Sequence, residues 1–134
     1  MKSVYVTPLY AAVLALMFVA MSVRTLRLRR QLRIAVGDKG DQQMLRAMRV
    51  HANFAEYVPF SLLLIYMFET RSGTGVLIHA LCVCLIVGRF SHAYGLSRVD
   101  EDYRYRVFGM SMTFTALAVS AIGILAGSAM QVMP

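Results

Sequence analysis

The chain has 134 residues, 58% of them hydrophobic and 16% charged, with no tryptophan, a mean hydropathy of +0.59 and a formal net charge of +7. Soluble domains are nearer half apolar, so this composition excludes an ordinary soluble globular protein. Nucleic-acid binding is a poor account of the charge, because the basic residues cluster: eight of the 14 lie between Arg24 and Arg49 and four more between Arg89 and Arg106.

Four apolar segments follow in chain order, predicted as helices at about 4–33, 42–69, 74–96 and 104–131. Each can cross a hydrocarbon core of about 30 Å, which takes about 20 helical residues. The predicted fold class is an all-α membrane protein, a four-transmembrane-helix bundle forming a single domain over 1–134. The apolar run Val4–Val23 exceeds the core of a secretory signal, about 7–15 residues, and its positive flank (Arg24, Arg27, Arg29, Arg30) lies on the C-terminal side. It therefore reads as a retained span that continues as a basic helix to about Arg33.

Gly37-Asp38-Lys39-Gly40-Asp41 is a turn. In the second segment Pro59 frees the carbonyl of Ala55 and predicts a kink just past Glu56. Arg71–Gly75 is a short, nearly neutral connection. Ser97–Asp102 is a charged loop whose acids suit the start of the fourth helix. The first and third connections hold almost all the Arg and Lys, which predicts cytoplasmic basic loops and both termini outside. Cys82 and Cys84 are two residues apart on a helix and point nearly opposite ways. They read as packing or lipid-facing residues, with no disulfide and no metal site. Gly123-x-x-x-Gly127 with Ser120 reads as a close-packing seam, and His79, Tyr103 and Tyr105 as packing residues or interface anchors.

The second helix carries an unusual polar stripe. Arg49, Asn53 and Glu56 are four and three residues apart, so they share one helical face, with Arg46 beside them. An ionisable residue at membrane depth is costly unless it is paired or faces a wet cavity. Such a stripe either glues helices together or holds a polar guest. Two further clusters reach the same membrane face: Arg29-Arg30, and Arg89-Phe90-Ser91-His92-Ala93-Tyr94 with Arg104 and Arg106. Arginines bind carboxylates bidentately, a glutamate receives an ammonium, and Asn and Tyr bond amide, carboxylate or thiolate groups. The set suits a small zwitterionic or polyanionic ligand. The two carboxylates, ammonium, two amides and thiol of glutathione match it.

Arg49-x-His51-x-Asn53-x-x-Glu56-Tyr57-x-Pro59 resembles the signature of the MAPEG family, the membrane-associated proteins of eicosanoid and glutathione metabolism. The Arg29-Arg30-x-x-Arg33 end of the first helix, the Arg89–Tyr94 end of the third and Arg106 at the start of the fourth extend the resemblance over nearly the whole chain. It is most similar to the small bacterial branch. The resemblance implies a homotrimer in the bacterial inner membrane, with a glutathione site between neighbouring subunits that opens to the cytosol. It implies that Arg49, Asn53, Glu56 and Tyr57 hold glutathione, that Tyr94 lines the site, and that His51 and Arg29 reach a neighbour's ligand. Arg106 would stabilise the thiolate and Arg30 would assist the electrophile.

Two departures stand out. Phe90 replaces a tyrosine of some members. The long acidic loop leaves Arg104 and Arg106 as alternatives, Arg106 being favoured because Arg106-Val-Phe-Gly109 resembles the start of the family's fourth helix. The expected activity is a glutathione transferase, or also a glutathione peroxidase, acting on hydrophobic electrophiles or lipid hydroperoxides. Its other partners would be membrane lipids. The alternatives are a small proton-coupled transporter switching on Glu56, and a non-catalytic protein that binds lipid or glutathione.

Overall fold

The computed structural model describes residues 5–72, 75–100 and 102–132. It consists of four helices: α1 (Thr7–Leu32), α2 (Gln42–Ser72), α3 (Gly75–Ser97) and α4 (Tyr103–Val132). The expected span starts at 4 and 74, and Glu101 of the charged loop, lie outside the described residues. α1, α3 and α4 are each long and apolar enough to cross a membrane. α2 is the longest at 31 residues, but its polar stripe leaves only its second half comparably apolar. Pro59 lies inside α2, which runs through it as one helix.

Local chemistry fixes most helix ends. α1 closes on a left-handed residue, Arg33 (φ 53°), with the N–H of Ile34 returning to Arg29 and that of Arg33 to Arg30. This pattern satisfies carbonyls the helix leaves free, and it buries Ile34 against the bundle. Asp38 accepts the N–H of Gly40, and Asp41 then caps α2 by accepting the N–H of Met44 at 2.7 Å. Asp102 likewise accepts the N–H of Arg104 at the start of α4, as the acidic loop predicts.

The start of α1 has no cap of its own. Glu69, from the far end of α2, supplies one. Its carboxylate accepts the N–H groups of Val6 and, at 3.0 Å, Thr7. At the opposite end of the bundle Arg46 of α2 donates to the carbonyl of Leu96, and Arg24 of α1 to the hydroxyl of Ser97 at 2.6 Å. α2 thus tends the N-terminus of α1 and the C-terminus of α3, groups that would otherwise be unsatisfied in a low-dielectric medium.

α2 and α3 form the centre of the bundle. α1 packs on both and α4 packs on both, while α1 and α4 do not touch among the described residues. The core is built from Leu14, Phe54, Ile65, Ile78, Leu85 and their neighbours. Many other large apolar side chains face outward, among them Leu16 (72% exposed), Val76 (86%) and Leu125 (70%), as expected where the surroundings are lipid.

The most extensive contact is between α3 and α4, where glycines let the backbones meet. A Cβ on Gly88 would stand 2.8 Å from the carbonyl oxygen of Gly109, and one on Gly109 would stand 2.7 Å from the backbone nitrogen of His92. Gly95 is similarly crowded by Tyr105. The expected close packing holds for part of the Ser120–Gly127 face: Ser120 is buried and a Cβ on Gly123 would run into the ring of Phe68 on α2, while Gly127 has nothing near its Cβ direction.

Candidate functional site

The close approach of α3 and α4 brings the basic ends of three helices together. Arg49, Asn53 and Glu56 on α2, His92 and Leu96 on α3, and Arg106 on α4 line a cleft of about 310 Å³. That lies at the lower end of small-molecule sites, about 300–1,000 Å³. Both charge signs are represented. Arg49 and Glu56 are exposed at its rim, and among the described residues neither makes a hydrogen bond or ion pair within the protomer. The stripe does not neutralise itself in a dry core. Of the two arginines that the sequence leaves as alternatives, Arg106 lines the cleft and Arg104 does not.

One residue of the site had no binding role assigned from sequence. Arg89 is 1% exposed, the largest of the fully buried side chains. It donates to Asn53 Oδ1 at 2.8 Å, and more weakly to the Gly109 carbonyl and the Met110 sulfur. Its guanidinium also lies 5.8 Å from the centre of the Tyr57 ring. Arg89 therefore fixes the Asn53 amide: with Oδ1 bonded to protein, Asn53 chiefly presents its Nδ2 donors to a guest. The available signal was an arginine seven residues inside an apolar helix, where a cation must find partners.

A second, more apolar groove of about 470 Å³ adjoins the cleft. Val107, Met110 and Phe114 line it, and it shares His92 and Arg106 with the first. Arg106 thus stands where a polar cleft meets an apolar groove.

The other residues named from sequence lie elsewhere in the protomer. Tyr57 is half-buried between Arg89 and the ring of Phe114. Tyr94 is exposed, packed edge-on against Tyr105 with Arg98 over its face. His51 sits between α1 and α2, bonded to the Ser22 hydroxyl at 2.9 Å and stacked on Phe18. Arg29 donates to the Ala35 and Gly37 carbonyls and so pins the loop after α1. Arg30 is exposed on α1. Cys82 is buried in the core, and Cys84 faces the Met112 carbonyl of α4.

Comparison with known proteins decides the kinship. The family model described as "MAPEG family" matches residues 7–126. The chain belongs to the MAPEG family. It is also 34% identical over 120 residues to the inner membrane protein YecN of Escherichia coli K12, covering 90% of each chain, and equally to YecN of E. coli O6:H1. The MAPEG match covers α1, α2 and α3 and most of α4, including both grooves and the stripe of α2. The protein is therefore a four-helix membrane protein of this family.

Proposed function

We propose that the protein is an integral inner-membrane glutathione transferase whose cleft holds glutathione as co-substrate. The observation that carries this reading is the α2 rim, where Arg49 and Glu56 stand exposed on one face of a cleft that also contains Asn53 and Arg106. In the proposed complex Arg49 pairs with a glutathione carboxylate, Glu56 receives the ammonium, and Asn53 donates to a carboxylate or amide oxygen. Tyr57 and Tyr94 close the site, and His51, Arg29 and Arg30 act from a neighbouring subunit of a homotrimer. The basic loops lie in the cytoplasm, so the cleft opens to cytosolic glutathione.

Arg106 acts on the thiol. A free cysteine thiol has a pKa of about 8.5, and an adjacent guanidinium lowers it by favouring the thiolate. The thiolate attacks an electrophilic carbon of a lipid-soluble substrate in the groove beside Val107, Met110 and Phe114. A carbon–sulfur bond forms and the leaving group departs with its electron pair. Holding both reactants at one arginine supplies proximity. With a lipid hydroperoxide the same thiolate would attack oxygen, and a second glutathione would complete the reduction.

The test begins with titration of glutathione into detergent-purified protein, followed by conjugation to a generic aryl halide. Wild type binds at millimolar glutathione or below and conjugates. Arg49→Ala weakens binding at least tenfold. Arg106→Ala retains binding but loses the thiolate absorbance and the turnover. Binding without conjugation in wild type would leave a glutathione-binding protein and end the transferase reading. No binding at all would end both.

A further inference from the structure

A separate groove of about 750 Å³ lies on the other side of the basic end, between α1, the start of α2 and the end of α3. Its α1 wall is a single stripe, Ala20, Val23, Arg24, Arg27, Leu28 and Gln31, spaced three and one residues alternately and so aligned on one helical face. The stripe is graded along its length. Ala20 and Val23 belong to the apolar run, Arg24 is the first charge after it, and Arg27 and Gln31 lie one and two turns further out. Gln43 of α2 and Ser97 of α3 complete the polar half.

The charge in this groove is of one sign. No Asp or Glu is among the described residues lining it, in contrast to the cleft, where Glu56 offers a seat for an ammonium. A zwitterion would find half of its partners missing here. An anion would find two guanidiniums one turn apart. Arg24 is steadied by its bond to the Ser97 hydroxyl, which orients the fork without neutralising it. Arg27 is exposed and, among the described residues, makes no hydrogen bond or ion pair. An arginine fork suits phosphate oxygens, and basic pockets between membrane helices at the cytoplasmic face bind anionic headgroups.

We propose that this groove binds the phosphate of an anionic phospholipid. The phosphate lies between Arg24 and Arg27, the headgroup hydroxyls lie toward Gln31 and Gln43, and the upper acyl chain lies along Ala20 and Val23. The graded stripe favours a lipid source over a soluble phosphate, since Ala20 and Val23 would otherwise meet nothing of the ligand. The proposal does not depend on glutathione chemistry, because the two sites share no lining residue.

The experiment is native mass spectrometry of the full-chain protein released from mixed micelles of phosphatidylglycerol and phosphatidylcholine, with size-exclusion chromatography confirming that each variant is folded. Wild type should retain phosphatidylglycerol with a preference of about 25-fold, about fivefold for each arginine. Arg24→Gln/Arg27→Gln should lose that preference. Lys39→Gln/Arg104→Gln removes equal charge from the same end and should keep it. A second arm titrates inorganic phosphate into protein held in phosphatidylcholine alone. Equal retention of the two lipids by wild type, or an undiminished preference in Arg24→Gln/Arg27→Gln, would overturn the proposal. So would equal losses in the two double variants. Phosphate binding that needs Arg24 and Arg27, with no lipid preference, would overturn the lipid source.

Discussion

Arg89 and Asn53 form an unequal pair, and the inequality can be measured. The side chain of Arg89 is wholly buried in a helix that crosses the membrane, so its charge is tolerated only because Asn53, Gly109 and Met110 surround it. Taking away Asn53 leaves a buried cation without its shortest hydrogen bond. Taking away Arg89 removes the costly charge together with the bond and leaves only a half-buried amide. Asn53→Leu is therefore expected to destabilise the protein by about 3 kcal/mol, and Arg89→Met by about 1–2 kcal/mol. Thermal unfolding in detergent checks the ordering; a larger loss for Arg89→Met would contradict it. Both variants should weaken glutathione binding, because the Asn53 amide is held in place by Arg89.

At the scale of the helices, ends and seams carry the stability that apolar burial cannot supply in lipid. Glu69 caps a helix 62 residues earlier in the chain. Glu69→Ala should cost about 1–2 kcal/mol, and Glu69→Gln about half of that because an acceptor survives. Chemical denaturation in mixed micelles would separate the two. The α3–α4 seam gives a sharper contrast. Gly109→Ala drives a methyl into the backbone of α3, which cannot move aside cheaply, and should cost about 2–3 kcal/mol. Gly127→Ala meets nothing and should be neutral or stabilise by about 0.5–1 kcal/mol through helix propensity. Comparable melting temperatures for the two variants would refute the seam. These features also mark where reading the sequence succeeds and fails. The helices, the turn at Gly37–Asp41, the acidic start of α4 and the common face of Arg49, Asn53 and Glu56 depend on residues a few positions apart, so the local pattern reveals them. The cap from Glu69, the burial of Arg89 and the meeting of Gly88 with Gly109 depend on how distant segments dock. A small-residue spacing such as Gly123-x-x-x-Gly127 identifies a surface able to pack closely, but not the partner: Gly123 meets the ring of Phe68 on α2, and Gly127 meets nothing.

For the whole molecule, the decisive feature is that one protomer leaves its cleft open at Arg49 and Glu56, while Arg29, Arg30 and His51 lie on or against α1, which does not reach α4 among the described residues. If the proposed homotrimer assembles each site from two chains, residues inactive in one subunit can be rescued by another. Arg30→Ala and Arg49→Ala should each abolish most conjugation alone. When the two variants are co-expressed in equal amounts with different tags and assemble at random, each site draws Arg49 from one chain and Arg30 from its neighbour. Both are intact in about one quarter of sites, since each has an even chance of being wild type in a closed symmetric ring. Activity should therefore return to about one quarter of the wild-type rate. If each site were built within one chain, every chain in the mixture would still carry a lesion in its own site, and activity would stay at the level of the single variants. Mixing separately purified trimers after assembly is the control: without subunit exchange it should restore nothing, so recovery that needs co-expression identifies the shared site.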